Sequence, residues 1–237
     1  MKDDAISSKE DSGSTLVIPL LLQDPNHVTY EVSFERRMMM NMTVKETAGP
    51  GKAQVEYWID TWRNNSKPDL IVHEGKSGEG KVVGTCVFGK RWGGIFMTNE
   101  GRMGDFTDFQ YKAHYAKAPR DKFGRYASPL DLVLTNGATS RTFHFARTTD
   151  GPTSLLGKVH GQNWTVTNSK GELVAFWKDS GKCLFSLTRG SLTVNPRALE
   201  REDDFLYLLM TMLSLKEIAR RMVQGIAVAA GAAGGSA

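Results

Sequence analysis

The feature that most constrains this fold is an eleven-residue segment, 205–215, that is apolar on every side and reads FLYLLMTMLSL. As a helix it rises only about 16 Å, against roughly 30 Å of bilayer hydrocarbon, so it cannot span a membrane. A helix without a polar face has to be enclosed by protein. Because Asp203 or Asp204 can cap its start, the sequence predicts a buried helix over about 203–224. Charged residues close its apolar part: Lys216, Glu217, Arg220 and Arg221.

The remainder of the chain predicts short strands that can supply this enclosure. Segments rich in Val, Ile, Thr and aromatic residues alternate with clusters of Gly, Pro, Asn and Asp. Two-residue periodicity indicates one buried face, since Phe143 and Phe145 would face one side and Thr142 and His144 the other. A barrel wrapped around the helix satisfies both patterns. The predicted strands lie near 15–22, 27–34, 38–45, 54–62, 69–74, 81–88, 93–98, 105–111, 130–135, 140–147, 163–167, 172–178, 182–188 and 190–195.

Composition places the chain among soluble globular proteins, because 40% of its 237 residues are hydrophobic and 24% are charged. Residues 1–14 are polar and predict a disordered leader, 15–224 predict one domain, and 225–237 predict a flexible Gly/Ala tail. We expect an intracellular protein, cytoplasmic, at the membrane periphery or in the nucleus. Only Cys86 and Cys183 are present, which excludes a disulfide scaffold and a four-cysteine zinc site. Both lie in hydrophobic strands, which predicts inert buried thiols.

The C-terminal segments resemble a known superfamily. They read GQNWTV over 161–166, GELVAF over 171–176, GSLTV over 190–194, and DFLYLL from 204 with EIARR over 217–221. This order is similar to fungal members of the tubby C-terminal-like superfamily, which includes tubby proteins, phospholipid scramblases and the LURP-one-related family. The resemblance implies a mainly β fold: a closed antiparallel barrel of about twelve strands around a central hydrophobic C-terminal helix. It is carried mostly by the last 95 residues, and the first half matches only in its strand-rich texture.

This sequence lacks features of two of the three families, which narrows the choice among them. The C-terminal signature of true tubby proteins is not visible here. The Pro-rich leader, clustered cysteines and C-terminal membrane segment of scramblases are absent from this sequence. The LURP-one-related branch therefore fits best, and it is the branch whose biochemical activity is least defined. Tubby domains bind phosphoinositides through basic residues on the barrel surface, so the superfamily resemblance implies a non-enzymatic module that binds anionic membrane lipids such as phosphoinositides, or a protein partner.

The sequence feature that best matches such a ligand is a basic, aromatic stretch over 111–126, YKAHYAKAPRDKFGRY. Cations bind phosphate groups, and aromatic rings can rest at a lipid interface or stack on bases. Anionic lipid is the predicted ligand, with nucleic acid and an incidentally charged, solvated loop as alternatives. One anion, Asp121, offsets the five cations, which leaves +4; the predicted binding residues are Lys112, Lys117, Arg120, Lys122 and Arg125.

Other motifs predict little chemistry. Gly75 to Lys81 has the G-x-x-x-x-G-K spacing of a phosphate-binding loop, but Val82 stands where Ser or Thr is required. The following residues predict a strand rather than a helix, so this segment is interpreted as a flexible hairpin loop. The histidines, at positions 27, 73, 114, 144 and 160, show no zinc-ligand spacing. We therefore expect no catalytic residue, no metal and no cofactor.

Two alternatives to the binding module remain open. One is an enzyme whose site is assembled from scattered polar residues at a barrel end, and the other is a scramblase-like protein. The cluster Met38, Met39, Met40 and Met42 also has two interpretations, since methionine fills irregular core gaps and lines adaptable binding surfaces.

Overall fold

The computed structural model describes residues 26–34, 41–48, 56–61, 68–88, 95–98, 111–115, 130–136, 139–148, 163–180 and 188–234. Within these ranges, twelve β-strands precede one long helix, α1 (Asp204–Gly234), with a short 3-10 turn at Pro196–Ala198 between them. The strands are β1 (Val28–Phe34), β2 (Met42–Ala48), β3 (Glu56–Thr61), β4 (Leu70–Glu74), β5 (Val82–Phe88), β6 (Ile95–Thr98), β7 (Tyr111–Tyr115), β8 (Leu130–Asn136), β9 (Thr139–Arg147), β10 (Trp164–Asn168), β11 (Leu173–Asp179) and β12 (Thr188–Val194).

All described strand pairs are antiparallel, and neighbours in the sheet are neighbours in the chain. The exception is β1, which pairs with β2 on one side and with the last strand, β12, on the other. In the β1–β12 ladder Tyr30 opposes Leu192, and Val28 opposes Val194. The predicted mainly β fold with one apolar C-terminal helix is therefore confirmed.

Alternation along the strands places one face of the sheet in the core. Phe143 and Phe145 are buried in β9 and pack in the hydrophobic core, whereas His144 between them is exposed, as predicted. In β2, Met42 is buried in the same core, so that methionine fills the core and does not line a binding surface. The other three methionines of the cluster lie outside the described residues, as do the predicted leader, the strand near 15–22, and most of those near 105–111 and 182–188.

The first half of α1 is the centre of the core. Residues 207–215 are all buried, and they include two polar side chains, Thr211 and Ser214. Transfer of the large apolar side chains of this segment from water is worth roughly 1.5–3 kcal/mol each. That sum is comparable with the net stability of a whole domain, so the fold depends on keeping this helix covered.

Strands from different parts of the sheet contact α1. Phe205 packs on Tyr30 of β1 with ring centroids 4.5 Å apart. Ser214 hydrogen-bonds Cys86 of β5 at 3.1 Å. Arg141 of β9 pairs with Asp204 at 2.9 Å, and Lys216 pairs with the last residue of β11. These contacts place the helix against strands that are far apart in the sheet order.

The start of α1 at Asp204 agrees with the predicted cap, but its end does not fall near 224. The helix continues to Gly234, through a segment that was predicted to be a flexible tail. Alanine, the strongest helix former, is abundant in 225–234 and accounts for the extension. Within the described part of the chain, no helix is long and apolar enough to cross a membrane.

The closest approach between helix and sheet occurs at Gly84 of β5. A Cβ atom at this position would lie 2.7 Å from the sulfur of Met210 and 3.4 Å from Cδ2 of Leu206. The 2.7 Å contact is too short to form unless the Met210 side chain moves, whereas 3.4 Å is an ordinary van der Waals contact. Glycine at this position therefore lets α1 lie directly against the strand without displacing Met210.

We expect Gly84→Val to destabilise the protein by about 1–3 kcal/mol, because it forces the added methyl groups into a filled core. The measurement is the urea midpoint of unfolding followed by circular dichroism. Gly84→Val combined with Met210→Ala is the matched control. If the clash with Met210 is the cause, the double variant should lose less stability than the sum of the two single variants. Simple additivity would contradict a direct contact.

Candidate functional site

Charged side chains are concentrated where the buried part of α1 ends. They join the helix to the segment just before β4, to the end of β5 and to the end of β11. We call this group the rim cluster; its members are Lys216, Glu217, Arg220, Arg221, Asp69 and Asp179. Three cations face three carboxylates, so the described charges of the cluster balance.

Glu217 is the centre of the rim cluster. Its side chain is only 1% exposed, which would be costly for an unpaired carboxylate. Arg220 donates to both of its oxygens at 2.6 Å, and Arg221 donates through Nε at 2.8 Å. Two guanidinium groups thus compensate one buried charge, in the bidentate geometry that arginine favours.

Arg221 extends the cluster to the strands. It pairs with Asp69, whose other oxygen accepts the backbone N–H of Phe88 at 2.7 Å. The guanidinium also lies over the Phe88 ring, 5.0 Å from its centroid. Burial acts to lower the pKa of Arg221, but hydrogen bonds to Glu217 and Asp69 outweigh it and raise that pKa. The side chain is therefore a permanent cation that ties α1 to β5.

Lys216 makes the matching connection to β11. It pairs with Asp179, and its ammonium group lies 5.4 Å from the ring centroid of Trp177. The indole of Trp177 is fully buried. The lysine thus places its aliphatic stem against the core and its charge at the edge of the sheet, as amphipathic side chains do.

The opposite end of the buried helix holds a different arrangement. Asp204 is fully buried, pairs with Arg141 at 2.9 Å and accepts the backbone N–H of Arg201 at 3.0 Å. Burial raises the pKa of Asp204, and Arg141 acts against that shift. Burial also raises the pKa of Tyr30 and Tyr57 beside Phe205, with nearby Glu46 adding to it. These tyrosines stay neutral at physiological pH.

The predicted lipid-binding residues lie mostly outside the described residues. Lys117, Arg120, Lys122 and Arg125 are all in this category, so the structure does not show whether they converge. Lys112 is in β7, where its backbone pairs with Phe96 and Thr135. The site prediction therefore remains a prediction.

The strands on either side of residues 116–129 nevertheless show where the chain leaves and rejoins the sheet. The turn between β8 and β9 is close to the start of α1, because Arg141 reaches Asp204. The other end of β8, Leu130, therefore lies toward the rim cluster. Tyr115 ends β7 next to it, since it pairs with Leu132. Both ends of the 116–129 connection thus lie at the end of the sheet that holds the rim cluster.

Two histidines lie within 3.2 Å of an aspartate carboxylate oxygen. His144 and Asp131 are opposed on β9 and β8, with Nδ1 2.7 Å from the carboxylate. A carboxylate orients an imidazole in this way in a catalytic triad, but this pair is on the outer wall and its histidine side chain is 45% exposed. Among the described residues, no hydroxyl or thiol is within hydrogen-bond distance of the ring. The second pair, His73 with Asp60, is covered by the loop that precedes β5.

Cys86 does not offer a nucleophile. It is fully buried, and burial raises the pKa of its thiol, a shift that the hydrogen bond to Ser214 reduces only in part. This agrees with the prediction of an inert thiol. Cys183 lies outside the described residues. The G-x-x-x-x-G-K segment joins β4 to β5, as a hairpin loop does, and is followed by a strand.

Sequence reasoning found the helical members of the rim cluster only as charges that end an apolar segment. Asp69 and Asp179 were missed, because single aspartates beside strands are common and carry no spacing signal. One signal was available in the sequence. Three cations and one carboxylate follow the apolar segment of the helix, and this excess of positive charge indicates that other carboxylates lie nearby.

Neither a protein-family model, nor a curated protein, nor a solved structure matches this chain. The resemblance to tubby-like proteins consequently rests on the sequence segments alone.

We expect Glu217→Ala to destabilise the protein by about 3–5 kcal/mol, because it removes the carboxylate that Arg220 contacts and leaves Arg221 with Asp69 alone. Glu56→Ala is the matched control, since its partner Lys45 is 55% exposed and such pairs contribute about 0–1 kcal/mol. Urea unfolding of both variants gives the comparison. Equal losses would mean that the rim cluster is an ordinary surface ion-pair network.

Proposed function

We propose that this chain is a non-enzymatic, tubby-like module of the LURP-one-related kind, which binds anionic membrane lipids such as phosphoinositides. In this proposal the strands close into a barrel around α1, and the ligand is held by the basic stretch 111–126. The observation that carries the proposal is that the chain leaves the sheet at Tyr115, within this stretch, and re-enters it at Leu130, both at the rim-cluster end.

Charge balance supports this location. At that end, the cations Lys216, Arg220 and Arg221 are already matched by Glu217, Asp69 and Asp179. The +4 of the basic stretch is then a surplus that no described carboxylate of the cluster offsets. A surplus of this kind attracts an anionic surface.

The binding free energy that this surplus of positive charge can supply limits which ligands can bind tightly. At roughly 1 kcal/mol per surface cation, four net charges give about 4 kcal/mol, which corresponds to millimolar affinity. A single monovalent head group would therefore bind weakly. A multiply charged phosphoinositide, or many head groups on one vesicle, is the ligand class that this charge can hold.

Burial supports a binding rather than a catalytic role. Cys86 is enclosed and bonded to Ser214, and Asp204 and Glu217 are occupied by arginines within the fold. These buried polar groups hold α1 in place. A partner protein is the alternative ligand for the same basic surface, and an enzyme or a scramblase-like protein remains a less supported alternative.

The test reverses the central cations of the stretch, Lys117, Arg120 and Lys122, to glutamate. This triple variant changes the local charge by six units and should abolish flotation with phosphoinositide liposomes. The fraction of protein that floats should fall at least tenfold relative to the wild type. Binding of the wild type should also weaken with salt, since the Debye length falls from about 10 Å at 0.1 M to about 3 Å at 1 M.

The matched control reverses three exposed lysines toward the other end of the sheet, Lys76, Lys81 and Lys170. This control variant changes the net charge by the same six units, so the comparison distinguishes a local binding site from non-specific electrostatic attraction. Equal flotation of the two triple variants, or none of the wild type, would contradict the proposal. Single-stranded RNA that binds the wild type and resists high salt would favour base stacking instead.

A further inference from the structure

Three polar side chains lie together on the face of the β3–β4 ladder that points away from the core. Ile59 and Val72 belong to the hydrophobic core, so the alternation of the strands places Trp58, Asp60 and His73 on the opposite face. Trp58 opposes His73 directly, and Asp60 is the diagonal neighbour of the histidine. Strand pairing therefore brings an imidazole and a carboxylate to one place.

The hydrogen bond of His73 fixes which ring nitrogen carries the proton. Nδ1 is 3.1 Å from the backbone carbonyl oxygen of Gly80, and a carbonyl oxygen only accepts, so Nδ1 donates. Nε2 of the neutral ring then carries a lone pair. The side chain is 7% exposed, and among the described residues Nε2 has no hydrogen-bond partner. A buried acceptor without a donor is costly.

The group that faces this lone pair is an acceptor as well. Oδ2 of Asp60 is 3.2 Å from Nε2 of His73. The other carboxylate oxygen, Oδ1, accepts the indole N–H of Trp58 at 2.7 Å. Within the described part of the chain, no hydrogen-bond donor reaches Oδ2. Two lone pairs thus face each other, and a cation bound by both atoms would satisfy both.

The geometry matches that of an imidazole and a carboxylate that share a metal ion. Nitrogen and oxygen ligands lie about 2.0–2.2 Å from zinc, which places two of them about 3–3.5 Å apart. The distance between Nε2 and Oδ2 is within this range. A metal-bound histidine donates its other ring N–H, and a metal-bound carboxylate accepts a further hydrogen bond. Gly80 and Trp58 supply these two bonds.

We propose that Nε2 of His73 and Oδ2 of Asp60 together bind one divalent transition-metal ion such as Zn²⁺, with water as the remaining ligands. The imidazole favours Zn²⁺ or Cu²⁺ over Mg²⁺, which prefers oxygen ligands. The Asp60 side chain is 19% exposed, so water reaches it. Gly78 brings no side chain to this place, where a Cβ would lie 3.0 Å from Oδ2.

Two protein ligands make this an open site, unlike a closed structural zinc centre. Among the described residues, no group of three or more His, Cys, Asp and Glu side chains could hold a metal ion. The sequence shows no zinc-ligand spacing here, because strand pairing rather than proximity in the chain joins the two ligands. The site lies beside the 75–80 loop and is independent of the basic stretch, so it does not depend on the proposed lipid binding.

The test titrates the chelator-treated, full-length protein with Zn²⁺ by isothermal calorimetry, with Mg²⁺ as the comparison. We expect one Zn²⁺ ion to bind at this site and no comparable binding of Mg²⁺. His73→Gln should lower the Zn²⁺ affinity at least tenfold, since even the loss of a group that only orients a ligand costs about 10–100-fold. Trp58→Phe removes such a group and should lower the affinity about tenfold.

His144→Gln is the matched control, because His144 also lies next to an aspartate but is 45% exposed. This variant should bind Zn²⁺ as the wild type does. The proposal is overturned if the wild type does not bind Zn²⁺, or if His73→Gln binds it equally well.

Asp60→Asn should change metal affinity and stability in different directions. The amide carries no charge and should weaken Zn²⁺ binding, but its NH₂ group can donate to the lone pair on Nε2 of His73. With a chelator present, the urea midpoint of this variant should therefore equal or exceed that of the wild type. A lower midpoint would mean that the wild-type ring is protonated and paired with the carboxylate, which contradicts a metal-binding lone pair.

Nitrogen chemical shifts of the histidine rings in the wild type cover the case in which His73→Gln does not fold. Addition of Zn²⁺ should shift the Nε2 resonance of His73 and leave its Nδ1 protonated. A shift confined to other histidines would place the metal elsewhere and rule out this site.

Discussion

A helix without a polar face must be hidden from water on all sides, and the rest of this structure follows from that requirement. Between Tyr207 and Leu215 every side chain of α1 is buried. The strands have to supply apolar side chains from many directions, and they do so through alternation, with Phe143, Phe145 and Val166 on the inner face. Gly84 shows how close the covering is, since even a Cβ would collide with Met210 there.

Burial of the apolar part of α1 does not by itself define how far the helix is inserted along its own axis, because one apolar turn resembles the next. Charged groups at the two ends supply that position. At the start, Asp204 pairs with Arg141 of β9. At the end of the buried part, Arg221 pairs with Asp69 and Lys216 pairs with Asp179, both on the sheet side. A shift of one helical turn, about 5.4 Å, would separate both sets. The buried charges thus specify the register of the helix, a role in which burial cost is repaid by uniqueness.

The elements of this fold with strong periodic signals were predictable from the sequence. The apolar segment 205–215 predicted a buried helix, and the alternation in β9 predicted which residues face the core. The full extension of α1 to Gly234 was not predicted, because 225–234 mixes alanines with glycines, and glycine disfavours the interior of a helix. The roles of Asp69 and Asp179 and the contact between His73 and Asp60 could not be predicted, since each depends on residues that only tertiary pairing brings together.

The functional prediction also combines a local sequence signal with a feature that depends on tertiary pairing. The basic stretch was predicted from local charge, whereas the position of the strand ends Tyr115 and Leu130 depends on the pairing of β7, β8 and β9. The central claim is that the 207–215 segment of α1 is enclosed, and native-state hydrogen exchange of the 207–215 amides tests it most directly. Enclosure predicts that these amides exchange only through global unfolding, with an opening free energy equal to that from denaturant titration. Exchange through local opening, several kcal/mol below the global value, would contradict it.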